Sequence, residues 1–319
     1  MIPRSLAGVA VVLALAGVAH AGGTIRGYVP LPDLGSVAFV DVNAGRVLKT
    51  VAVPRGAGPV VASIDGSRVL VANTRRGLVT ETNGISGRRT RTFRGLGRPI
   101  DLALIPRTTI GLVRARYAIV LDALGSVVIL DLDRGQAVDR IAVARPTLLA
   151  LADGTGTLWV ASAGSARLTQ IDVSEPTRAR VVARPAIGGI AIALAPDPVG
   201  LADVDAVLAD GRLVQLDGVS LRTRTIRRVP VRVRQLLAGY RGVLWVGEED
   251  GRVLGVRTRD GQIASVMHVA PGSGLAIAGG WLVATHGESL RMFALGTQRQ
   301  GRTTTLPGSA GAFSYAVLP

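Results

Sequence analysis

The chain is built from a short β-rich unit that recurs about seven times. In the clearest copy, the apolar stretches 36–42, 47–53 and 69–72 alternate with turns that contain Gly and Asp. A unit of this size has too little apolar surface for a core of its own, so its copies must stack against one another. The repeat therefore predicts the fold class, although it does not specify a function.

The spacing of the repeat predicts a β-propeller. One apolar strand recurs about every 42 residues, since six steps separate Val29 from Val283. This period is typical of blades of four antiparallel strands. The apolar runs are 4 to 8 residues long, are rich in Val, Leu and Ile, and end in turn residues, which favours strands over helices.

Seven innermost strands are expected, at residues 59–64, 99–105, 146–151, 187–194, 234–238, 273–278 and 312–318. The last has no strands after it, and the first three strands of the chain, at 24–29, 36–42 and 46–53, have no inner strand before them. We therefore predict an all-β, seven-bladed propeller of four-stranded blades. The C-terminal strand would join the N-terminal three in a 3+1 pairing, because this removes exposed sheet edges.

Turn residues recur with the strands. Several strands end in an apolar residue followed by Asp, whose side chain is expected to bind backbone amides of the next turn: Asp41, Asp131, Asp172 and Asp217. Gly45, Gly135 and Gly261 follow as residues that tolerate positive φ. Trp159, Trp245 and Trp281 recur near one strand position and are expected to pack between blades.

These residues resemble a known repeat. The pattern Val40-Asp41, Gly45, Pro59, Asp65-Gly66 and 69–73 is similar to the YVTN type of β-propeller repeat, a relative of NHL and WD repeats. The resemblance covers nearly all of the chain after residue 21 and implies a propeller. Such families include exported and surface binding proteins, many without known activity, so the resemblance implies no chemistry.

Residues 1–21 predict a secretory signal peptide, and residues 22–319 a single propeller domain. A positive start precedes the apolar stretch 6–19, and Ala19-His20-Ala21 forms a small-x-small cleavage site. The stretch is shorter than the roughly 20 residues of a membrane span. We therefore expect a protein that is secreted or held in the cell envelope, with no transmembrane segment in the mature chain. The chain contains no cysteine, which excludes disulfides.

The chain is strongly basic, with a formal net charge of +15, and Lys49 is its only lysine. Near-exclusive use of Arg is typical of a GC-rich genome, but the charge also favours anionic partners. Aromatic residues make up 3% of the chain and are not interleaved with Arg, so nucleic acid is not expected. The expected partner is a protein, an anionic polymer or a small molecule, bound by a monomer without a cofactor.

In a propeller, the loops between blades share one face with the turns between second and third strands, and ligands usually bind on that face. Arginines recur there, and a guanidinium can hold a carboxylate or phosphate through two hydrogen bonds. The candidates for anion binding are Arg75, Arg76, Arg98, Arg145 and Arg232, with Arg55, Arg94, Arg184 and Arg228 in the same loops. Arg also crowds the opposite face, so the bias is small. Asp101, on an inner strand, is expected to pair with Arg98 or a neighbouring arginine.

Histidines and carboxylates of two consecutive repeats also meet on this face. They are the candidates for a catalytic or metal-binding site: His268, His286, Glu248, Glu249 and Glu288. Such a set can bind a divalent cation or supply a general base. The pattern favours solvated loop residues over such a site, so no metal is assigned.

Three functions remain open at this point. The first is a non-catalytic binding or scaffold protein of the cell envelope or the extracellular space. The second is a propeller enzyme, similar to streptogramin lyases or lactonases, that uses the His and Glu candidates. The third is a wall-associated protein held by electrostatic attraction alone. The chain lacks the regular Thr-Glu pattern associated with those lyases, which favours the first function over the second.

Overall fold

The computed structural model describes residues 24–109, 112–152, 155–197, 202–230, 232–239, 242–278, 280–311 and 313–318. The predicted signal peptide lies outside these residues. They form 28 β-strands and one 3-10 turn, Pro176–Arg178. No helix within the described ranges is long and apolar enough to cross a membrane.

The strands form seven antiparallel sheets of four, which we number as blades 1 to 7. Blade 7 contains β1 Thr24–Leu31, β2 Ser36–Asp41, β3 Arg46–Ala52 and the last strand, β28 Ser314–Leu318. Blade 1 contains β4 Val60–Ala62, β5 Val69–Asn73, β6 Leu78–Thr82 and β7 Arg89–Phe93. Blade 2 contains β8 Pro99–Thr109, β9 Leu112–Asp122, β10 Ser126–Asp131 and β11 Gln136–Ala142. Blade 3 contains β12 Pro146–Ala152, β13 Thr157–Ser162, β14 Leu168–Asp172 and β15 Arg180–Ala183.

The remaining blades repeat the pattern. Blade 4 contains β16 Ala191–Pro196, β17 Val204–Leu208, β18 Arg212–Leu216 and β19 Thr223–Arg228. Blade 5 contains β20 Val233–Ala238, β21 Val243–Glu248, β22 Arg252–Arg257 and β23 Ile263–His268. Blade 6 contains β24 Gly274–Ala278, β25 Trp281–His286, β26 Ser289–Ala294 and β27 Gln300–Thr305. The prediction of a seven-bladed propeller with seven inner strands is confirmed.

Blade 7 closes the ring by the predicted 3+1 pairing. The C-terminal strand β28 pairs antiparallel with β1, and the register sets Thr24 opposite Leu318 and Tyr28 opposite Ser314. Ser314 also reaches the next blade, because its hydroxyl accepts a hydrogen bond from the Ala62 backbone N–H at 3.0 Å. The two ends of the chain therefore hold the first and last blades together.

The apolar core lies between the blades. Each boundary between neighbouring blades is filled by a cluster of buried side chains, as a single unit of this size requires. Pairs that share a cluster across these boundaries are Leu70 and Leu102, Ile119 and Leu158, Trp159 and Val204, Val207 and Leu244, Trp245 and Leu275, Leu282 and Val29, and Phe39 and Val71. The predicted packing of the tryptophans is confirmed, and the Trp159 indole N–H also donates to the Ala202 carbonyl of blade 4 at 2.8 Å.

The predicted turn chemistry is confirmed as well. The Asp41 carboxylate accepts the Ala44 N–H at 2.8 Å, and the Asp172 carboxylate accepts the Ser174 N–H at 3.0 Å. Gly45 has a φ of 64°, in the left-handed region that residues with a Cβ avoid. These turns follow the third strands, so they lie on the face opposite the loops between blades. We call the face with the loops between blades the upper face, and the opposite one the lower face.

Four inner strands carry a β-bulge at the same place, where they begin at the upper face. The pairing with the second strand skips one residue in each of blades 2, 3, 4 and 5. The skipped residues are Ile100, Thr147, Ile192 and Arg234. A bulge leaves its extra residue outside the ladder and re-aims the side chain. In each of these four blades, the bulge and not the regular pairing of the sheet therefore sets the direction of one side chain.

A substitution of Phe313, which packs beside the closing strand, tests how much the closure of the ring contributes to stability. Phe313 is 1% exposed, packs in the cluster of blades 5 to 7, and lies so close to Gly27 in β1 that a Cβ there would come within 2.3 Å of its ring. We expect Phe313→Ala to lower the free energy of unfolding by about 3–5 kcal/mol, because it leaves a cavity beside the closing strand. Urea denaturation measures this change. Leu34→Ala, at a half-exposed leucine, is the control and should change stability by less than about 0.5 kcal/mol.

Candidate functional site

A cavity of about 240 Å³ opens at the upper face near the axis of the ring. Loops from blades 1, 2, 5, 6 and 7 contribute to its wall. Much of the wall is backbone, because glycines are frequent among its residues: Pro32, Ala57, Gly58, Pro59, Ile100, Arg234, Gln235, Gly272, Gly274, Thr285, His286, Gly287, Ala310 and Gly311. The upper face is thus the side on which this propeller can receive a small ligand.

Arg234 is the arginine of this cavity. It is the bulge residue of β20, and its guanidinium lies 3.1 Å from the position that a Cβ on Gly272 would occupy. Gly272 also has a φ of 75°, so the loop before β24 makes room for the guanidinium with a residue that lacks a side chain. The ion pairs of the upper face join Arg140 to Asp122, Arg212 to Asp210 and Arg252 to Glu248, and none of them includes Arg234.

Two neutral side chains below the mouth hold the wall together. The Gln235 carbonyl oxygen accepts the backbone N–H of Leu275 at 2.7 Å and so ties blade 5 to blade 6. The Thr285 hydroxyl donates to the Gly311 carbonyl at 3.0 Å and ties blade 6 to the segment before β28. Arg234 and Gln235 also line a second, deeper void of about 10 Å³. These two residues therefore lie between the cavity and the smaller void.

Asp101 lies beside the cavity residue Ile100 but is 2% exposed. Burial raises the pKa of its carboxyl well above the ordinary value, against hydrogen bonds from the backbone of Leu102 and Leu149. The Leu102 N–H donates to it at 2.8 Å. The expected ion pair with Arg98 is wrong, since the ion pairs of the described residues do not include Asp101. Burial thus favours the neutral form of this carboxyl, and no guanidinium among the described residues pairs with it.

Five arginines form a basic rim on blade 1 and its two neighbouring loops: Arg55, Arg75, Arg76, Arg94 and Arg98. All five are exposed, and none takes part in an ion pair among the described residues. The three segments that carry them, 54–59, 73–77 and 94–98, are joined by hydrogen bonds. The Asn73 amide donates to the Arg55 carbonyl at 2.6 Å, the Thr74 hydroxyl to the Pro99 carbonyl at 2.6 Å, and the Leu96 N–H to the Gly77 carbonyl at 3.0 Å.

The carboxylate of Asp122, next to the rim, already accepts hydrogen bonds from other groups of the protein. Asp122 is 3% exposed and accepts hydrogen bonds from the backbone N–H groups of Arg98 and Leu124, at 2.7 and 2.9 Å. Its other oxygen accepts from Ser126 and from Arg140. Asp33, at the Arg55 end, is an exposed acid on the neighbouring turn. The rim therefore concentrates positive charge that the surrounding acids do not neutralise.

The structure brings together three of the five candidate anion-binding residues. Arg75, Arg76 and Arg98 belong to the basic rim. Arg145 lies on the next loop around the ring, between blades 2 and 3, with a φ of 46°. Arg232 lies between blades 4 and 5, where its carbonyl accepts the Glu249 N–H at 2.9 Å. All five lie on the predicted face, but they do not form one site.

The candidate His and Glu residues are dispersed. His286 ends β25 and lines the cavity, whereas His268 ends β23, the outermost strand of blade 5. The Glu248 carboxylate is buried and bound by Arg252 at 3.1 and 3.2 Å. Glu249 and Glu288 are exposed on turns. No group of three or more His, Asp or Glu in the described ranges is arranged to hold a metal ion.

Sequence reasoning missed Arg234, Gln235 and Thr285. A signal for the first two was present, since the inner strand predicted at 234–238 begins with Arg and Gln, two large polar residues side by side. Thr285 carried no signal, because its role depends on Gly311, which is distant in the chain.

With this geometry established, the protein can be placed among known folds. No family model matches the chain, and a search of curated proteins gives no match. The YVTN resemblance therefore stays a prediction. Among solved structures, apo AztD from Citrobacter koseri is 14% identical with a TM-score of 0.71, over 92% of this chain and 98% of that one. A functionally unknown protein from Desulfotomaculum acetoxidans is 10% identical with a TM-score of 0.74, over the same shares.

A third structure is the dihydro-heme d1 dehydrogenase NirN in complex with DHE. It is 13% identical with a TM-score of 0.63, over 90% of this chain and 74% of that one. At these identities the three likenesses establish the propeller fold and no more.

The buried carboxyl of Asp101 gives a pH test. Because its folded pKa is raised, the folded state keeps a proton that the unfolded chain loses above about pH 3.9. Its contribution to stability is therefore greatest below that pH and falls as the pH rises. We expect Asp101→Asn, which has the same shape and does not titrate, to reduce the fall of the free energy of unfolding between about pH 4 and pH 8.

Chemical denaturation at a series of pH values measures this slope. Asp210→Asn is the control, because Asp210 is exposed and its pKa is lowered by a hydrogen bond from Arg212. That variant should keep the wild-type fall. An Asp101→Asn slope as steep as the wild-type slope would contradict the assignment.

Proposed function

We propose that this protein is an exported, non-catalytic binding protein whose basic rim attaches it to an anionic polymer of the cell envelope. The observation that carries the proposal is the rim itself, five exposed arginines on three hydrogen-bonded segments with no described ion pair. Like charges on neighbouring segments repel one another, and an anionic partner relieves that repulsion. A polymer with repeated negative charges fits the rim because the arginines are spread over several loops.

The geometry favours binding over catalysis. A general base and a general acid must both lie within hydrogen-bond reach of one bound substrate. His286 borders the cavity, but the carboxylate of Glu248 is held by Arg252, and Glu288 lies on an exposed turn outside the cavity wall. The described residues therefore offer no paired His and Glu like the one that the enzyme alternative requires.

Neutralising the rim should weaken polymer binding. We expect the triple variant Arg75→Gln, Arg76→Gln, Arg98→Gln to bind fluorescent polyphosphate about tenfold more weakly, because each exposed charge contributes up to about 1 kcal/mol. Fluorescence anisotropy at low salt measures the affinity. Binding by the wild type should also fall steeply as salt is raised, since salt screens exposed charges.

The matched control removes the same charge from the lower face. Arg46, Arg88 and Arg89 are exposed at the turns before outer strands, and the described residues form no ion pair with them. Their triple Gln variant should bind polyphosphate almost as well as the wild type. Equal losses of polyphosphate affinity in both variants would show that binding responds to net charge alone. That result would contradict the basic rim as the binding site.

The export part of the proposal rests on residues 1–21 and has its own test. We expect the protein collected outside the cytoplasm to begin at Gly22, as measured by intact-mass spectrometry. Ala21→Asp should block this cleavage, because the site needs a small residue there, whereas His20→Asp, at the tolerant position, should not. A product that keeps Met1 in the wild type would contradict export through a cleaved signal.

A further inference from the structure

The axial cavity borders the basic rim at the segment 54–59, but none of the five rim arginines lines it. Its volume, about 240 Å³, is roughly that of eight water molecules in the liquid. It is therefore smaller than the cavities that hold drug-sized ligands, which start at about 300 Å³. A ligand of about ten non-hydrogen atoms is the size that fits.

A β-bulge and a glycine together fix the position of the arginine in the cavity wall, Arg234. The bulge in β20 takes Arg234 out of the ladder, and Gly272 leaves the space against which the guanidinium rests. The other three bulge residues, Ile100, Thr147 and Ile192, are uncharged, so blade 5 alone among the four bulged blades presents a cation here. The hydroxyl of the buried Thr285 already donates to the Gly311 carbonyl. The other side chains of the wall are polar at Gln235 and His286 and apolar at Pro32, Ala57, Pro59, Ile100 and Ala310.

The chemistry of this wall selects a class of ligand. A guanidinium presents two parallel N–H donors that match the two oxygens of a carboxylate. A phosphate monoester carries close to two negative charges at neutral pH and is best held by several cations. Arg234 is exposed and is the one Arg or Lys in the described wall, and most of the other lining residues are apolar residues or glycines. The wall thus matches one negative charge attached to an apolar body.

We propose that the axial cavity binds a small monocarboxylate, with its carboxylate on the Arg234 guanidinium and its apolar part against Ile100 and Pro59. The described ion pairs leave Arg234 without a carboxylate of the protein, so the ligand does not compete with an internal partner. This site is independent of the attachment through the basic rim, and either can fail without the other.

Three probes of one shape test the ligand class. Benzoate has one negative charge, benzamide is its neutral counterpart, and phenylphosphonate carries more charge on the same ring. We expect benzoate to bind the full chain with a roughly millimolar dissociation constant, as suits a ligand of this size. Calorimetric titration gives the affinity. Benzamide should bind at least about tenfold more weakly, because it cannot form the charged pair.

Substitutions of Arg234 then test whether its guanidinium binds the carboxylate. Arg234→Gln should weaken benzoate binding by about tenfold or more, because the charged hydrogen bonds are lost. Arg234→Lys keeps the charge but not the two parallel donors, and should also weaken binding. The matched control is Arg232→Gln, two residues away on the same face and outside the cavity wall, which should leave benzoate binding unchanged. Thermal denaturation confirms that each variant is folded.

Several outcomes would overturn the inference. They are benzamide binding as well as benzoate, phenylphosphonate binding more tightly than benzoate, no binding of benzoate at all, or equal effects of Arg232→Gln and Arg234→Gln. Polyphosphate binding measured on Arg234→Gln separates the two proposals. It should match the wild type whether or not the cavity binds carboxylates.

Discussion

The packing of each blade against the next is the interaction on which the whole molecule depends. A single four-stranded sheet of this chain has apolar side chains on both faces, and only neighbours on both sides can cover them. Every boundary must therefore be filled, including the one between the two ends of the chain. The pairing of β28 with β1 and the burial of Phe313 meet that requirement, because β28 completes blade 7 as its innermost strand.

The same arrangement explains why charge can accumulate at the upper face. The hydrogen bonds that hold the loops of the basic rim are formed by the side chains of Asn73 and Thr74 and by backbone groups. The side chains of the arginines do not take part in them. Their guanidinium groups contribute little to the fold and remain available to a partner. On the lower face the pattern differs, since Arg68, Arg91 and Arg116 bind Glu81, Asp131 and Asp133 in a network between blades 1 and 2.

The fold was predictable in detail because each of its causes is local and repeated. Asp41, Gly45 and their counterparts act within a few residues of the chain, so each copy supplies the same information. The site was predictable only as a face. His286 and Arg98 lie on it as expected, yet which loops meet depends on contacts such as Thr74 with Pro99, between residues of different blades. Arg234 was missed because a bulge changes the direction of one side chain, and a bulge leaves no fixed sequence pattern.

The four aligned bulges differ in what they cost to change. Ile100 and Ile192 pack against the apolar clusters between blades, and the Thr147 hydroxyl donates to the Ala161 carbonyl at 3.3 Å, so these three side chains belong to the scaffold. Arg234 is exposed and lines the cavity. A lineage of such propellers can thus alter what enters the ring by substitution at this one bulge while the packing of the blades is kept.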